Sequence, residues 1–428
     1  MTARHFDVVV LGRSLGALTA AALLARRDFR VLLLGQGERP PSYEYEGFRL
    51  KRRAFALLFG ASPVWSRILH ELAQSPRFRR MVRPLDPMFV VSSEGRHIEV
   101  PPDMELYARE IDREFPEVRQ LVDELYATIA QVNAAVDTVF EKDAIWPPGT
   151  LWERIETRRA AAGMPLVRGG ETDLLGKFPV GHPYREIVTL PSLFAQSSFS
   201  AGDYLPPLAL ARLHGSWTRG IQSLERGEDE LEEFLLERIE AHGGECRLAQ
   251  RATSVVVRMG RIVGVLEDGE EEMTGADALV TDLSGEAVAD LSRGDGITPA
   301  ARRDWPRLTA AAGRFVVSLV VRRTALPDPL GEEAFLVPRM GRARTRAGLQ
   351  STSNGSTVRQ GSRLWWRRSS CRCVGRSRCW KRAKPSSPRC ASTCHSWTNT
   401  SRSSTRPTTG CRCSTRLEGR HARWTAST

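Results

Sequence analysis

The chain has 428 residues, 41% of them hydrophobic, which suits a globular protein with a substantial core. No run approaches the eighteen or more uncharged apolar residues of a membrane span, and no secretory signal is recognised. We therefore expect a cytoplasmic protein, with peripheral membrane contact as the alternative.

The net charge of +12 is unevenly placed, because residues 341–428 hold 20 of the 62 Lys and Arg and a single acidic residue. The remaining residues are mildly acidic, so nucleic acid is not the expected partner.

The first predicted elements form a β-α-β unit. Residues 7–11 and 30–34 are apolar runs typical of buried strands, and residues 17–27 between them predict a helix. The connecting sequence GRSLGA fits two motifs. As G-x-S-x-G it is a nucleophile elbow with Ser14 as the attacking group, and as G-x-G-x-x-G it is a dinucleotide-binding loop in which Ser14 replaces the second glycine.

The position of this loop in the chain favours the dinucleotide motif. An elbow needs an oxyanion N–H group from an earlier strand-helix loop, and only eleven residues precede Gly12. The β-α-β spacing of about thirty residues is that of a dinucleotide-binding unit, with a diphosphate at the helix N-terminus. The predicted cofactor-binding residues are Gly12, Arg13, Ser14, Leu15, Gly16, Ala17, Gly35 and Gln36.

Two of these residues depart from the motif. Ser14 adds a Cβ where the backbone should approach the diphosphate, and Gly35 stands where a carboxylate normally binds a ribose hydroxyl. Gln36 or Glu38 would have to replace that carboxylate. We expect Ser14→Gly and Gly35→Glu together to tighten cofactor binding. No catalytic residue is assigned, and the His and Cys spacing before residue 341 predicts no metal site.

Later segments add further predicted elements. Residues 89–100 alternate as a β-hairpin, residues 103–143 contain two amphipathic helices, and residues 315–321 predict another strand. The acidic run at 228–233 predicts the solvated first turns of a helix. These elements indicate a mixed α/β protein.

Residues 235–282 read, in order, as a helix, a G-G-E break, a GRIVGV hairpin, a D-G turn and an ADALV strand. This order resembles the phytoene desaturase group of FAD-dependent oxidoreductases, and the resemblance extends over most of residues 6–340. It implies FAD held by the N-terminal loop, a hydrophobic substrate such as a polyene, a role in carotenoid biosynthesis, and hydride removal from a C–C bond without a metal. The family's acidic and glycine positions after the second strand fall near Lys51 and Arg53.

The expected fold class is therefore α/β, with a Rossmann-like FAD-binding domain and an inserted α+β substrate domain. Residues 1–85 and 216–285 would form the FAD-binding domain, and residues 86–215 and 286–340 the substrate domain. Residues 341–428 are expected to be a disordered basic tail. A non-catalytic, truncated or frameshifted relative is the alternative function, and nucleic-acid binding through the tail is the second alternative.

The tail itself has three explanations. Trp365 and Trp366 beside arginines fit a nucleic-acid arm, whereas the cysteines lack the paired C-x2-C spacing of a zinc module. A change of reading frame near codon 340 is the third. We favour it because net charge, cysteine content and apolar periodicity all change at one place. So few branched aliphatic residues remain that the tail cannot offset its ordering entropy by burial.

Overall fold

The structure is a computed structural model that describes residues 4–53, 55–93, 96–141, 150–162, 174–190, 207–297, 299, 312–322, 331–337, 349–354 and 362–372. Within these residues the chain forms two six-stranded sheets, two small two-stranded sheets, and helices packed against them. The predicted mixed α/β class is confirmed.

The strands are β1 (His5–Leu11), β2 (Val31–Leu34), β3 (Ser42–Tyr45), β4 (Phe48–Lys51), β5 (Val82–Pro84), β6 (Phe89–Ser93), β7 (Arg96–Val100), β8 (Gln222–Leu224), β9 (Glu245–Arg247), β10 (Ala252–Arg258), β11 (Arg261–Glu267), β12 (Met273–Thr281), β13 (Ala312–Arg322), β14 (Glu333–Val337), β15 (Leu349–Asn354) and β16 (Ser362–Arg372). The helices are α1 (Leu15–Arg26), α2 (Pro63–Glu71), α3 (Ser75–Met81), α4 (Met104–Glu114), α5 (Arg119–Glu141), α6 (Leu151–Ala162), α7 (Pro183–Thr189), α8 (Pro207–Trp217), α9 (Glu228–Ala241) and α10 (Gly285–Leu291).

The first large sheet has the strand order β10-β11-β12-β1-β2-β9. Strand β1 lies parallel between β12 and β2, and β2 pairs in parallel with β9. Alternate side chains of β1 pack on opposite faces, so Val8 and Val10 contact the core beneath α1 while Val9 and Leu11 contact the core on the other face. Burial on both faces explains why this strand is a continuous apolar run rather than an alternating one.

Helix α1 packs closely on this sheet because its buried face is made of small residues. Ala17, Ala21, Ala22 and Ala25 are all buried, and Leu18 is buried among them. Alanine has the highest helix propensity and lets the helix backbone approach the sheet. The predicted β-α-β unit is confirmed.

The second large sheet has the order β13-β16-β15-β14-β6-β7. Strands β6 and β7 form the predicted hairpin, and α4 and α5 are the two predicted amphipathic helices. The ring of Phe89 on β6 makes edge contacts with Trp217 at 5.5 Å and with Phe335 at 5.4 Å between ring centroids. These rings join α8 and β14 to the core of this sheet.

Two strands of the second sheet, β15 and β16, fall within residues 341–428, where we expected no regular element. The structure differs here because strand pairing is made by backbone hydrogen bonds, which the composition argument does not count. Residues 373–428 lie outside the described residues, whereas Trp365 and Trp366 lie on β16. The zinc, nucleic-acid and frame-change hypotheses for residues 341–428 stay predictions. The domain boundaries given above stay predictions. In the described part of the chain, every helix is too short or too polar to cross a membrane.

Candidate functional site

The loop between β1 and α1 lies at the carboxyl edge of the first sheet. The Gly12 amide donates to the Leu34 carbonyl at 2.9 Å, which ties the end of β1 to the end of β2. Gly12 has φ of +120°, a backbone conformation that residues with a Cβ rarely adopt. Ligands of open α/β sheets bind outside the carboxyl ends of the parallel strands, so this edge is the candidate site.

Ser14 caps helix α1. Its Oγ accepts a hydrogen bond from the Ala17 amide at 3.2 Å, and its φ and ψ of −65° and 157° are those of an N-cap residue. This capping bond explains why serine replaces the second glycine of the motif, a role that the sequence analysis missed. The amides of Leu15 and Gly16 belong to the N–H groups that a helix leaves without an intrahelical acceptor. These amides form the positive end of the α1 dipole, which faces the candidate site.

The structure overturns the expectation for Gly35. This buried residue directly follows β2, and a Cβ built on it would lie 2.1 Å from the Leu248 carbonyl oxygen. Gly35→Glu would force apart the backbone of two segments and would not restore a ribose-binding carboxylate. Glycine is needed at position 35 because the backbone of Leu248, more than two hundred residues away in sequence, lies directly against it.

The two residues predicted to replace the ribose-binding carboxylate, Gln36 and Glu38, follow Gly35 closely in the chain. Gln36 adopts a positive φ of 54°, and its Nε2 is buried without a hydrogen-bond partner among the described residues. Glu38 accepts a hydrogen bond from the Arg13 backbone, and burial together with the negative charge of Asp282 raises the pKa of its carboxyl group. The carboxylate nearest to the loop from this segment is therefore Glu38, one of the two substitutes predicted for Gly35.

A small polar pocket of about 30 Å³, partly open to solvent, lies beside the loop. Two ion pairs form one wall: Arg13 with Glu232, and Arg53 with Glu228 through an Nε–Oε2 bond of 2.7 Å. The lining residues are Arg13, Leu15, Glu38, Arg39, Pro41, Arg53, Glu228 and Glu232.

The prediction of a solvated acidic run on α9 is wrong for three of its members. Glu228, Asp229 and Glu232 are buried, and each is paired with an arginine. Asp229 also accepts a hydrogen bond from the Ser42 hydroxyl at 2.9 Å. The first turn of a helix favours negative charge, and these arginines offset the cost of burial.

One sequence signal could have revealed these pairs. Arg49, Lys51 and Arg53 alternate in GFRLKRRAF, a spacing that places them on one face of an extended segment. Arg49 and Arg53 meet the acidic first turns of α9. Lys51 lies among the same carboxylates and Glu333, and burial lowers the pKa of its amine to about 8. The missing information was that strand and helix, separated by about 175 residues, pack together.

The comparisons with known proteins agree with this location. Residues 10–72 match the family model described as an NAD(P)-binding Rossmann-like domain. No curated protein matches the chain. These residues include the end of β1, the glycine loop of residues 12–16, α1 and β2, so the predicted Rossmann-like domain is confirmed.

Solved structures share the fold over most of the chain. An oxidoreductase from Methanosarcina mazei superposes with a TM-score of 0.56 at 16% identity, covering 88% of this chain and 81% of that chain. The PF1083 protein from Pyrococcus furiosus gives 0.54 at 15% identity, with 88% and 82% covered. A putrescine oxidase double mutant, redesigned in its cofactor binding, gives 0.51 at 11% identity, with 89% and 78% covered. The chain thus carries a Rossmann-like dinucleotide-binding domain and shares the fold of these solved structures.

Proposed function

We propose that this chain is an FAD-dependent oxidoreductase of the phytoene desaturase type that acts on a hydrophobic substrate. The observation that carries the proposal is the β1-loop-α1-β2 geometry, with Gly12 in a positive-φ turn and the N-terminus of α1 at the carboxyl edge of the sheet. The flavin class and the substrate class come from the sequence resemblance over residues 6–340. The geometry supports the site of the cofactor, and the resemblance supports its identity.

The residues at this edge fit a dinucleotide in several respects. The first-turn amides of α1 offer donors to a diphosphate, and Arg13, Arg39 and Arg53 line the adjoining pocket. The buried Nε2 of Gln36 is a donor with no acceptor among the described residues, and the Glu38 carboxylate can accept from a ribose hydroxyl. When bound, FAD supplies the hydride-accepting chemistry. The chain's own residues bind and orient it, and they shield its charge.

A second candidate is a non-catalytic relative that keeps the fold for binding. The observation that favours it is the pairing of Arg53 with the buried Glu228 at a position where the resembled family has a glycine. A long side chain and its counterion there take space beside the cofactor site. In this case the chain would bind a nucleotide without turning over a substrate.

Flavin titration of the purified full chain tests the proposal. We expect saturable FAD binding that Gly12→Ala weakens at least tenfold, because an alanine is strained at the φ of +120° that the loop backbone needs at this position. Gly260→Ala is the matched control, since Gly260 also has positive φ, of 74°, but its Cβ would meet no atom within 4 Å. Absence of FAD binding would reject the proposal.

Anaerobic mixing separates the two candidates. An enzyme of the proposed type should lose the absorbance of oxidised flavin when a hydrophobic polyene is added. Saturable FAD binding with no bleaching by any polyene tested would instead support the non-catalytic relative.

A further inference from the structure

One carboxylate that the sequence analysis did not single out lies in the glycine loop. Asp282 directly follows β12, the parallel neighbour of β1, so it emerges at the same edge of the sheet. Its backbone amide donates to the Leu11 carbonyl at 3.3 Å, which fixes the residue beside the end of β1. The pairing of β12 with β1 therefore fixes the position of Asp282.

The side chain of Asp282 turns into the loop. Its Oδ2 accepts a hydrogen bond from the Ser14 amide at 3.0 Å. Its Oδ1 lies 1.9 Å from the position that a Cβ on Gly12 would take. Only a glycine at position 12 leaves room for this solvent-exposed carboxylate beside the turn.

The surrounding charges make this an electrostatically unfavourable place for a second anion. The Glu38 carboxyl group is close enough for Asp282 to contribute to its raised pKa. The nearby cations Arg13 and Arg53 are paired with Glu232 and Glu228. In the described part of the chain no lysine or arginine forms an ion pair with Asp282. A diphosphate entering the loop would meet this negative charge and would lose the Ser14 donor to it.

We propose that the Asp282 carboxylate occupies the glycine loop and competes with the diphosphate of an incoming nucleotide. The inference rests on the proposed function for the location of that diphosphate. The carboxylate takes the hydrogen bond that the ligand would otherwise accept from the loop, so binding requires Asp282 to turn away. Asp282 thereby sets the affinity for any ligand that carries a nucleoside diphosphate group.

The test is Asp282→Asn, which removes the charge and keeps a side-chain oxygen that can accept from Ser14. Dissociation constants for ADP and for FAD are measured by calorimetry on the full chain. We expect both ligands to bind the variant about tenfold more tightly, a factor equivalent to about 1.4 kcal/mol. Glu286→Gln on the exposed first turn of α10 is the charge-matched control and should stay within twofold of the original protein.

The two ligands keep the hypotheses apart. Tighter ADP binding by Asp282→Asn, with no FAD binding by any protein, would support the inference and reject the flavin proposal. FAD binding that Asp282→Asn leaves unchanged or weakens would support the flavin proposal and overturn the inference, since the carboxylate would then be neutral or helpful to the ligand. Failure of every protein to bind either ligand would overturn both.

Discussion

Two polar clusters of this chain are built on opposite principles. The ionic cluster, at the edge of the first sheet, pairs arginines with carboxylates on α9 and consists of Arg13, Arg49, Arg53, Glu228, Asp229 and Glu232. The aromatic cluster, in the core of the second sheet, contains Tyr107, Tyr126, Tyr184, His214 and Trp217. One cluster holds full charges and the other holds none.

The aromatic cluster stays neutral because its hydrogen bonds are satisfied without charge. His214 Nε2–H donates to the Val188 carbonyl at 2.6 Å, and Nδ1 accepts from Trp217 Nε1–H at 3.1 Å. The Tyr107 and Tyr184 hydroxyls form a hydrogen bond at 3.1 Å. Burial lowers the pKa of His214 to about 4 and raises the pKa of Tyr107. This network is an element of core packing.

The difference shows what each region is suited to. The charged side chains lie where the acidic first turn of α9, the carboxyl ends of the parallel strands and solvent meet. An anionic ligand would bind at the same place. The neutral groups lie in the buried core of the second sheet. The ionic cluster, most of which lines the polar pocket beside the glycine loop, is therefore the functional candidate, and the aromatic cluster is structure.

The largest expected effect comes from breaking the ionic cluster at Arg13. Its side chain and that of Glu232 are only 15% and 6% exposed, so Arg13→Met leaves a buried carboxylate without its cation. The free energy of unfolding, from urea denaturation, should fall by about 3 to 5 kcal/mol. The double variant Arg13→Met/Glu232→Leu should recover most of this loss, because it leaves no charge behind.

Glu233 provides the control for that experiment. It is the next residue on α9, and half of its side chain is exposed beside Arg226. Glu233→Gln should change the free energy of unfolding by less than about 0.5 kcal/mol. Equal losses for Arg13→Met and Glu233→Gln would contradict the burial of the Arg13–Glu232 pair.

The aromatic cluster should respond to pH instead. The pKa of His214 is about 4 in the folded chain against 6.5 ordinarily, so the unfolded chain binds the proton first as pH falls. Its stabilisation is complete above pH 6.5 and is lost progressively down to about pH 4, by up to about 3 kcal/mol. His214→Gln should flatten this part of the stability profile, whereas substitution of the exposed His70 by Gln should not. Identical profiles for all three proteins would contradict the prediction.

The smallest effect should come from a single hydroxyl. Tyr107→Phe removes the hydrogen bond to Tyr184 without changing the packing of the ring. The free energy of unfolding should fall by about 1 kcal/mol. Tyr45→Phe on the exposed β3–β4 hairpin should leave it unchanged. A loss above about 3 kcal/mol for Tyr107→Phe would mean that the network is coupled more tightly than single hydrogen bonds allow.

The sequence was sufficient for elements that depend on neighbours in the chain. The apolar runs at β1 and β2 and the small residues of α1 predicted the β-α-β unit, and alternation predicted the β6–β7 hairpin. Sequence-based prediction failed where a residue distant in the chain determines which side chain a position can hold. Nothing near Gly35 indicates that the Leu248 carbonyl excludes a side chain there, and nothing near Gly12 indicates Asp282. The acidic residues of α9 were misjudged for the same reason, since their arginines lie far away in sequence.

The contact between Ser14 and Asp282 also governs when the site can form during synthesis. It joins residues 268 positions apart, and β1 acquires its β12 neighbour only when that distant segment is made. At ribosomal rates of about 5 to 20 residues per second, the delay is roughly 13 to 50 seconds. For most of that interval β1 and β2 are short apolar segments on a nascent chain that lacks both of their sheet neighbours, β12 and β9. A chaperone that holds such segments would have this whole interval in which to bind them.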